Sequence, residues 1–167
     1  MFHAVRCPVC FLVLALVPTG WAQEKKTGEK KDAKDEFKLS ADERAVIELT
    51  NTERKNADKE LPPLKMNEKL MEAARKHAEN MAAQETLEHE LDGKNPDDRV
   101  KATGYKSRRV GENIAEGRQT PKDVVAGWMD SPPHRENILS AEFTEIGVAV
   151  AKSKTGTLYR VQVFGAR

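Results

Sequence analysis

The run Val110-Gly-Glu-Asn-Ile-Ala-Glu-Gly117, followed after two residues by Thr120-Pro-Lys-Asp-Val-Val-Ala-Gly-Trp-Met-Asp-Ser-Pro-Pro-His-Arg-Glu-Asn-Ile-Leu139, decides the fold class. Arg109 to Ala115 is short, carries β-branched residues and is flanked by glycine, which predicts a strand or extended segment. Thr120, Pro121 and Asp123 give a capping hydroxyl, a first-turn proline and an acid three residues on, so a helix starts there. Val124, Val125, Trp128 and Met129 form its buried side, with Trp128 read as core rather than as a substrate platform. Ser131-Pro132-Pro133-His134 repeats the start signal and predicts a second helix ending near Leu139, with the Ser131 hydroxyl accepting from backbone N–H groups.

Downstream, Ile146, Val148 and Val150 alternate in one segment, and Tyr159, Val161 and Val163 alternate in another. The turn Ser153-Lys-Thr-Gly156 joins them into an antiparallel hairpin. Upstream, Ser40 and Glu43 are spaced as a capping box for a helix that ends near Ala57, stopped by Leu61-Pro-Pro-Leu64. Asn67 caps a further helix, on which Leu70, Ala73, Ala74, His77 and Met81 fall on one stripe. His77 is thereby placed on the apolar face, as a hydrogen-bonded core residue rather than a ligand. Asn95-Pro-Asp-Asp98 caps a short helix that Gly104 ends. Helices first and a hairpin last give an α+β domain with helices packed on a small antiparallel sheet.

The ends of the 167-residue chain read differently. Residues 1–22 have Arg6, the apolar run Cys10 to Val17, then Pro18, Gly20 and Ala22, the pattern of a secretory signal peptide. The run is short for a bilayer span, so no integral membrane segment is expected after cleavage. Cys7 and Cys10 leave with the signal, and the remaining domain holds itself together without disulfides. The charge balance, 28 basic against 27 acidic residues, argues against a nucleic-acid partner. Residues 23–39 alternate Lys and Glu with little apolar content and read as a charged flexible linker, leaving 40–167 as the domain.

Several pieces, in order, resemble the CAP superfamily of cysteine-rich secretory proteins, antigen 5 and pathogenesis-related proteins. They are Asn51-Thr-Glu-Arg54, the helix with Ala73, Ala74, His77, Met81 and Ala82, His89, Gly111-Glu-Asn-Ile-Ala115, Trp128 through Ser131, His134, Asn137 and Leu139, and Ile146-Gly-Val148. The resemblance runs from about Glu43 to Gly165 and is closest to the bacterial branch, which lacks the animal disulfides. It implies an α-β-α sandwich with a surface cleft lined by two histidines and two acids. His89 and His134 match the histidines and Glu112 the first acid; Ser131 stands about where the second acid is expected, beside Asp130. His77, Asn113, Trp128 and Asn137 are then motif residues with structural roles.

Three uses of the cleft follow. His89 and His134 can hold a divalent metal such as zinc, or a small ligand, beside Glu112. Glu112 can serve as general base of a metal-assisted, peptidase-like hydrolase. The same residues can be a purely structural cluster. A Ser131–His134 nucleophile pair lacks the Gly-x-Ser-x-Gly elbow and gives way to capping. The expected setting is secreted, periplasmic or cell-envelope, with a lipid, polymer or protein as partner.

Overall fold

The structure, a computed structural model, describes residues 38–167. The expected signal peptide, both cysteines and most of the expected linker lie outside the described residues. The element order is α1 (Ala41–Lys55), β1 (Lys65–Met66), α2 (Glu68–Gln84), α3 (Pro96–Ala102), β2 (Arg109–Glu116), α4 (Pro121–Asp130), α5 (Pro132–Leu139), β3 (Glu145–Lys152) and β4 (Leu158–Ala166). The sheet order is β1-β3-β4-β2. β3 and β4 form the expected hairpin, β2 pairs antiparallel to β4, and β1 pairs parallel to β3. The sheet is therefore mixed rather than purely antiparallel, because two residues of the Leu61–Asn67 connector join its edge.

Both sheet faces are covered. On one side Leu70, Ala73, Ala74, Ala78 and Met81 of α2 pack with Ile114, Ala149, Val161 and Val163. On the other, Val46 of α1, Val124, Val125 and Trp128 of α4 and Ile138 of α5 pack with Ile146, Val148 and Phe164. This α-β-α sandwich explains a departure from simple alternation in β3. Ala149 is buried opposite Ile146 and Val148, since neither face meets solvent, while Val150 is only half-buried.

Local signals set the helix starts. Ser40 and Glu43 complete a reciprocal capping box, Asn67 accepts from the backbone of Lys69 and Leu70, Asn95 and Asp98 form a second box, and Thr120 caps α4. Ser131 departs from expectation. It occupies the N-cap position of α5 but its side chain makes no capping bond. α4 and α5 share this one residue, whose N–H goes to the Trp128 carbonyl while its carbonyl accepts from Arg135. Lys38 and Leu39, assigned to the linker, belong to the fold: the Lys38 carbonyl accepts from Arg75, and Leu39 packs on the core.

Arg54 ties α1 to the segment after α5. It is 1% exposed and donates to the carbonyls of Pro62, Ile138, Ser140 and Phe143. Lysine has no planar fork and satisfies fewer of these acceptors. Arg54→Lys is expected to cost about 2 kcal/mol, since buried carbonyls lose their donors. A urea midpoint equal to that of the parent protein would refute this role.

Candidate functional site

The site forms where β2 runs along the open edge of the sheet. An edge strand presents unpaired backbone groups that need partners. Here the motif residues supply them. The Trp128 indole N–H donates to the Ile114 carbonyl at 3.1 Å, and the Asn137 amide donates to the Glu112 carbonyl at 3.2 Å. Gly111 is required beside them, because a Cβ there would lie 2.8 Å from the Phe143 ring and 2.9 Å from Asn137 Oδ1. Asn113 points to the α5 side, where it donates to the His134 carbonyl at 3.1 Å and to Gln162 Oε1 at 3.0 Å. Gln162 in turn donates to Thr50 of α1, so a buried polar chain runs from α1 through β4 and β2 to α5. These bonds hold the first turn of α5, and with it His134, against the strand.

Alternation along β2 sends Glu112 to the opposite side, toward α2. Its side chain is only 2% exposed. One carboxylate oxygen meets His89 Nδ1 at 2.8 Å, and the other accepts from Arg99 Nη2 at 2.7 Å. His77 Nε2 lies 3.7 Å from the first oxygen. His89 comes from the loop after α2, and that loop is pinned. Asp92 and Gly93, both with positive φ, make a tight turn closed by the Leu91–Lys94 bridge. The Asp92 carboxylate accepts from Asn80 and Gln84 of α2. Arg99 reaches in from α3, and its Nη1 donates to the Lys94 carbonyl at 2.7 Å.

The structure thus joins His89 to Glu112 and brings His134 within electrostatic reach of His89. It gives Ser131 no hydrogen bond to either histidine or to Glu112 among the described residues. His77 corrects the expectation of a hydrogen-bonded core histidine. It is fully buried, yet neither ring nitrogen completes a hydrogen bond, and it faces the Glu112 carboxylate instead. Arg99 has no counterpart in the sequence reading. A lone arginine after Asp98 carries no motif, and only the tertiary fold sets it against Glu112.

Burial lowers the pKa of His77 below its usual 6.5, outweighing the upward pull of Glu112, with Arg99 adding to the decrease. Burial, then the charge of His89, lowers that of His134. Both imidazoles are therefore neutral near neutral pH. Around pH 6.5 the unfolded chain binds more protons at these positions than the folded one, so stability rises with pH across that window. It is fully present above the unfolded value and is lost as pH falls. The melting temperature is expected to drop between about pH 7 and about pH 5.5, and less so in His77→Phe. A flat or rising profile over this range would contradict the assignment.

With His89 Nδ1 held by Glu112, Nε2 is the nitrogen left for a ligand. A carboxylate behind a histidine in this way fixes tautomer and ring orientation. Among the described residues no three His, Cys, Asp or Glu side chains are arranged to hold a metal between them. An ion here would have at most two imidazoles, those of His89 and His134, as protein ligands, with Glu112 behind His89.

Comparison with known proteins agrees with this architecture. The family model of the cysteine-rich secretory protein family, CAP, matches residues 47–164. The protein YkwD of Bacillus subtilis is 39% identical over 128 residues, 76% of this chain; the chain spans 48% of its length. An outer surface protein from Borrelia burgdorferi superposes with a TM-score of 0.72 at 24% identity, covering 78% of this chain and 96% of that one. An extracellular protein containing a SCP domain from Bacillus anthracis gives a TM-score of 0.69 at 25% identity, covering 75% of this chain and 40% of that one. The edge-strand motif, the sandwich and the matched span lead to one conclusion: the chain belongs to the cysteine-rich secretory protein (CAP) family.

Proposed function

We propose that this protein is an exported binding module whose cleft takes a ligand on the imidazoles of His89 and His134, with a divalent metal such as zinc as the first candidate. One observation carries the reading. Each oxygen of Glu112 already has a partner, His89 or Arg99, and the side chain is only 2% exposed, which supports a carboxylate that orients a histidine over one that meets a substrate. That arrangement favours binding over the metal-assisted hydrolase in which Glu112 is general base. The imidazole nitrogens of His89 and His134 are borderline-soft donors, which suit zinc better than calcium or magnesium. A cell-surface or secreted setting is supported by the outer surface and extracellular relatives. No helix among the described residues is long and apolar enough to cross a membrane.

A calorimetric zinc titration near pH 7.5, with a His89→Ala/His134→Ala variant beside the parent, tests this. The expected result is saturable one-site binding in the parent and none in the variant. Absence of binding in a folded parent protein would leave the cluster as a scaffold and overturn the proposal. Chelator-sensitive hydrolysis abolished by Glu112→Gln would instead establish the enzyme.

A further inference from the structure

His89 and Glu112 meet from separate parts of the fold, a loop and an edge strand. The His89 side chain is 51% exposed, so packing alone does not fix its ring. The turn after it is tied to α2 through Asp92, a link that does not reach β2. Arg99 supplies the missing link. Its Nη2 donates to Glu112 Oε2 and its Nη1 to the Lys94 carbonyl, both at 2.7 Å. That carbonyl also accepts from Leu91 N–H at 3.4 Å, so it belongs to the closed turn that begins two residues past His89. Among the described residues, no other side chain hydrogen-bonds to both this turn and β2. Arg99 Nε, by contrast, is buried without a partner. The guanidinium is seated by its two ends at some cost in stability, which suits a residue that serves a site.

We infer that Arg99 is a positioning residue for the cleft: its planar fork holds the Leu91–Lys94 turn and the Glu112 carboxylate in one fixed relation, and so keeps His89, the ligand-binding residue proposed above, in the tautomer that presents Nε2 to a ligand. Arg99 acts through Glu112. A carboxylate has two like oxygens and can turn about its last bond. With Oε2 held by Arg99, Oε1 is the oxygen that faces His89 Nδ1. The Nδ1 proton then stays on the Glu112 side, and a neutral imidazole carries its lone pair on Nε2. Lysine keeps the charge but is a point donor on a flexible stem, without the rigid fork. Charge and geometry are therefore separable by substitution.

The test uses nitrogen NMR of the imidazoles in the whole protein, without metal, at about pH 8, above the ordinary histidine range. Protonated and bare ring nitrogens resonate far apart, so the tautomer is read directly. The parent should carry the His89 proton on Nδ1 alone. Arg99→Gln and Arg99→Lys should both move the His89 nitrogens towards a mixture, with Arg99→Lys nearer the parent in unfolding midpoint. Arg54→Lys, weakened elsewhere in the fold, should keep the parent pattern, so lost stability by itself does not produce the change. A parent with any other tautomer, or the parent pattern retained in either folded Arg99 variant, would overturn this role. Zinc affinity should fall about tenfold in Arg99→Gln. An altered tautomer with unchanged zinc affinity would overturn it as well. A parent that binds no zinc defeats the proposed function instead, and the tautomer result then decides by itself whether Arg99 positions His89.

Discussion

Gly147→Ala is expected to remove at least about 4 kcal/mol of stability, well beyond the usual cost of overpacking, because the clash is with backbone and not with a side chain. A Cβ at Gly147 would lie 2.1 Å from the Leu70 carbonyl carbon and 2.3 Å from both the Leu70 oxygen and Met71 N. No rotamer change relieves such a contact; α2 and β3 would have to separate. That separation would also break the bond from Val148 N–H to Met71 Sδ at 3.0 Å, made where β3 has outrun its short partner β1. Domains of this size have about 5–15 kcal/mol in total, so the variant should sit near the edge of folding. Its urea unfolding midpoint is the measurement. A shift of under about 1 kcal/mol would show that α2 can move off the sheet at little cost, contrary to the packing described.

The contact also shows which parts of this fold are legible in the sequence. The apolar stripe of α2 and the alternation of β3 can be read residue by residue, since each is a local period. That Gly147 is the point where they touch is a tertiary fact, although the Ile146-Gly-Val148 motif marks the residue. Helix starts are legible for the same local reason: Ser40 with Glu43, Asn67, Asn95 with Asp98, and Thr120 each bond within three residues of themselves. Ser131 shows the limit. Its sequence context matches that of Thr120, but the preceding helix ends on it, and its backbone serves both helices while its hydroxyl caps neither. β1 is not legible at all. Lys65 and Met66 are exposed and join the sheet only because β3 lies alongside.

The candidate site divides in the same way. His89, Glu112 and His134 are found through the family motif, and Asn113, Trp128 and Asn137 through their place in it. What the motif leaves out is how the carboxylate is used. Its partners come from 23 residues upstream for His89 and 13 for Arg99, separations with no periodic signature. His77 is legible as buried, but a stripe cannot say that the facing group is an acid on an edge strand. These are the interactions that decide between orienting and catalytic roles.

Glu112→Gln addresses that choice directly. The variant removes the charge opposite Arg99, whose guanidinium stays buried, and breaking a buried pair on one side typically costs about 3–5 kcal/mol. It also turns an acceptor into a mixed amide group, so His89 and Arg99 compete for one oxygen. If Glu112 orients His89 for a ligand, zinc affinity should fall about 10–100-fold, the usual effect of losing a supporting carboxylate. Stability and binding are separable in the double variant Glu112→Gln/Arg99→Gln. With the uncompensated cation gone, the unfolding midpoint should recover part of its loss, and the non-additivity of the two changes measures the ion pair. Zinc affinity should not recover, because His89 Nδ1 still lacks its carboxylate. Recovery of both together would mean that affinity follows stability alone, and the orienting role of Glu112 would have to be given up.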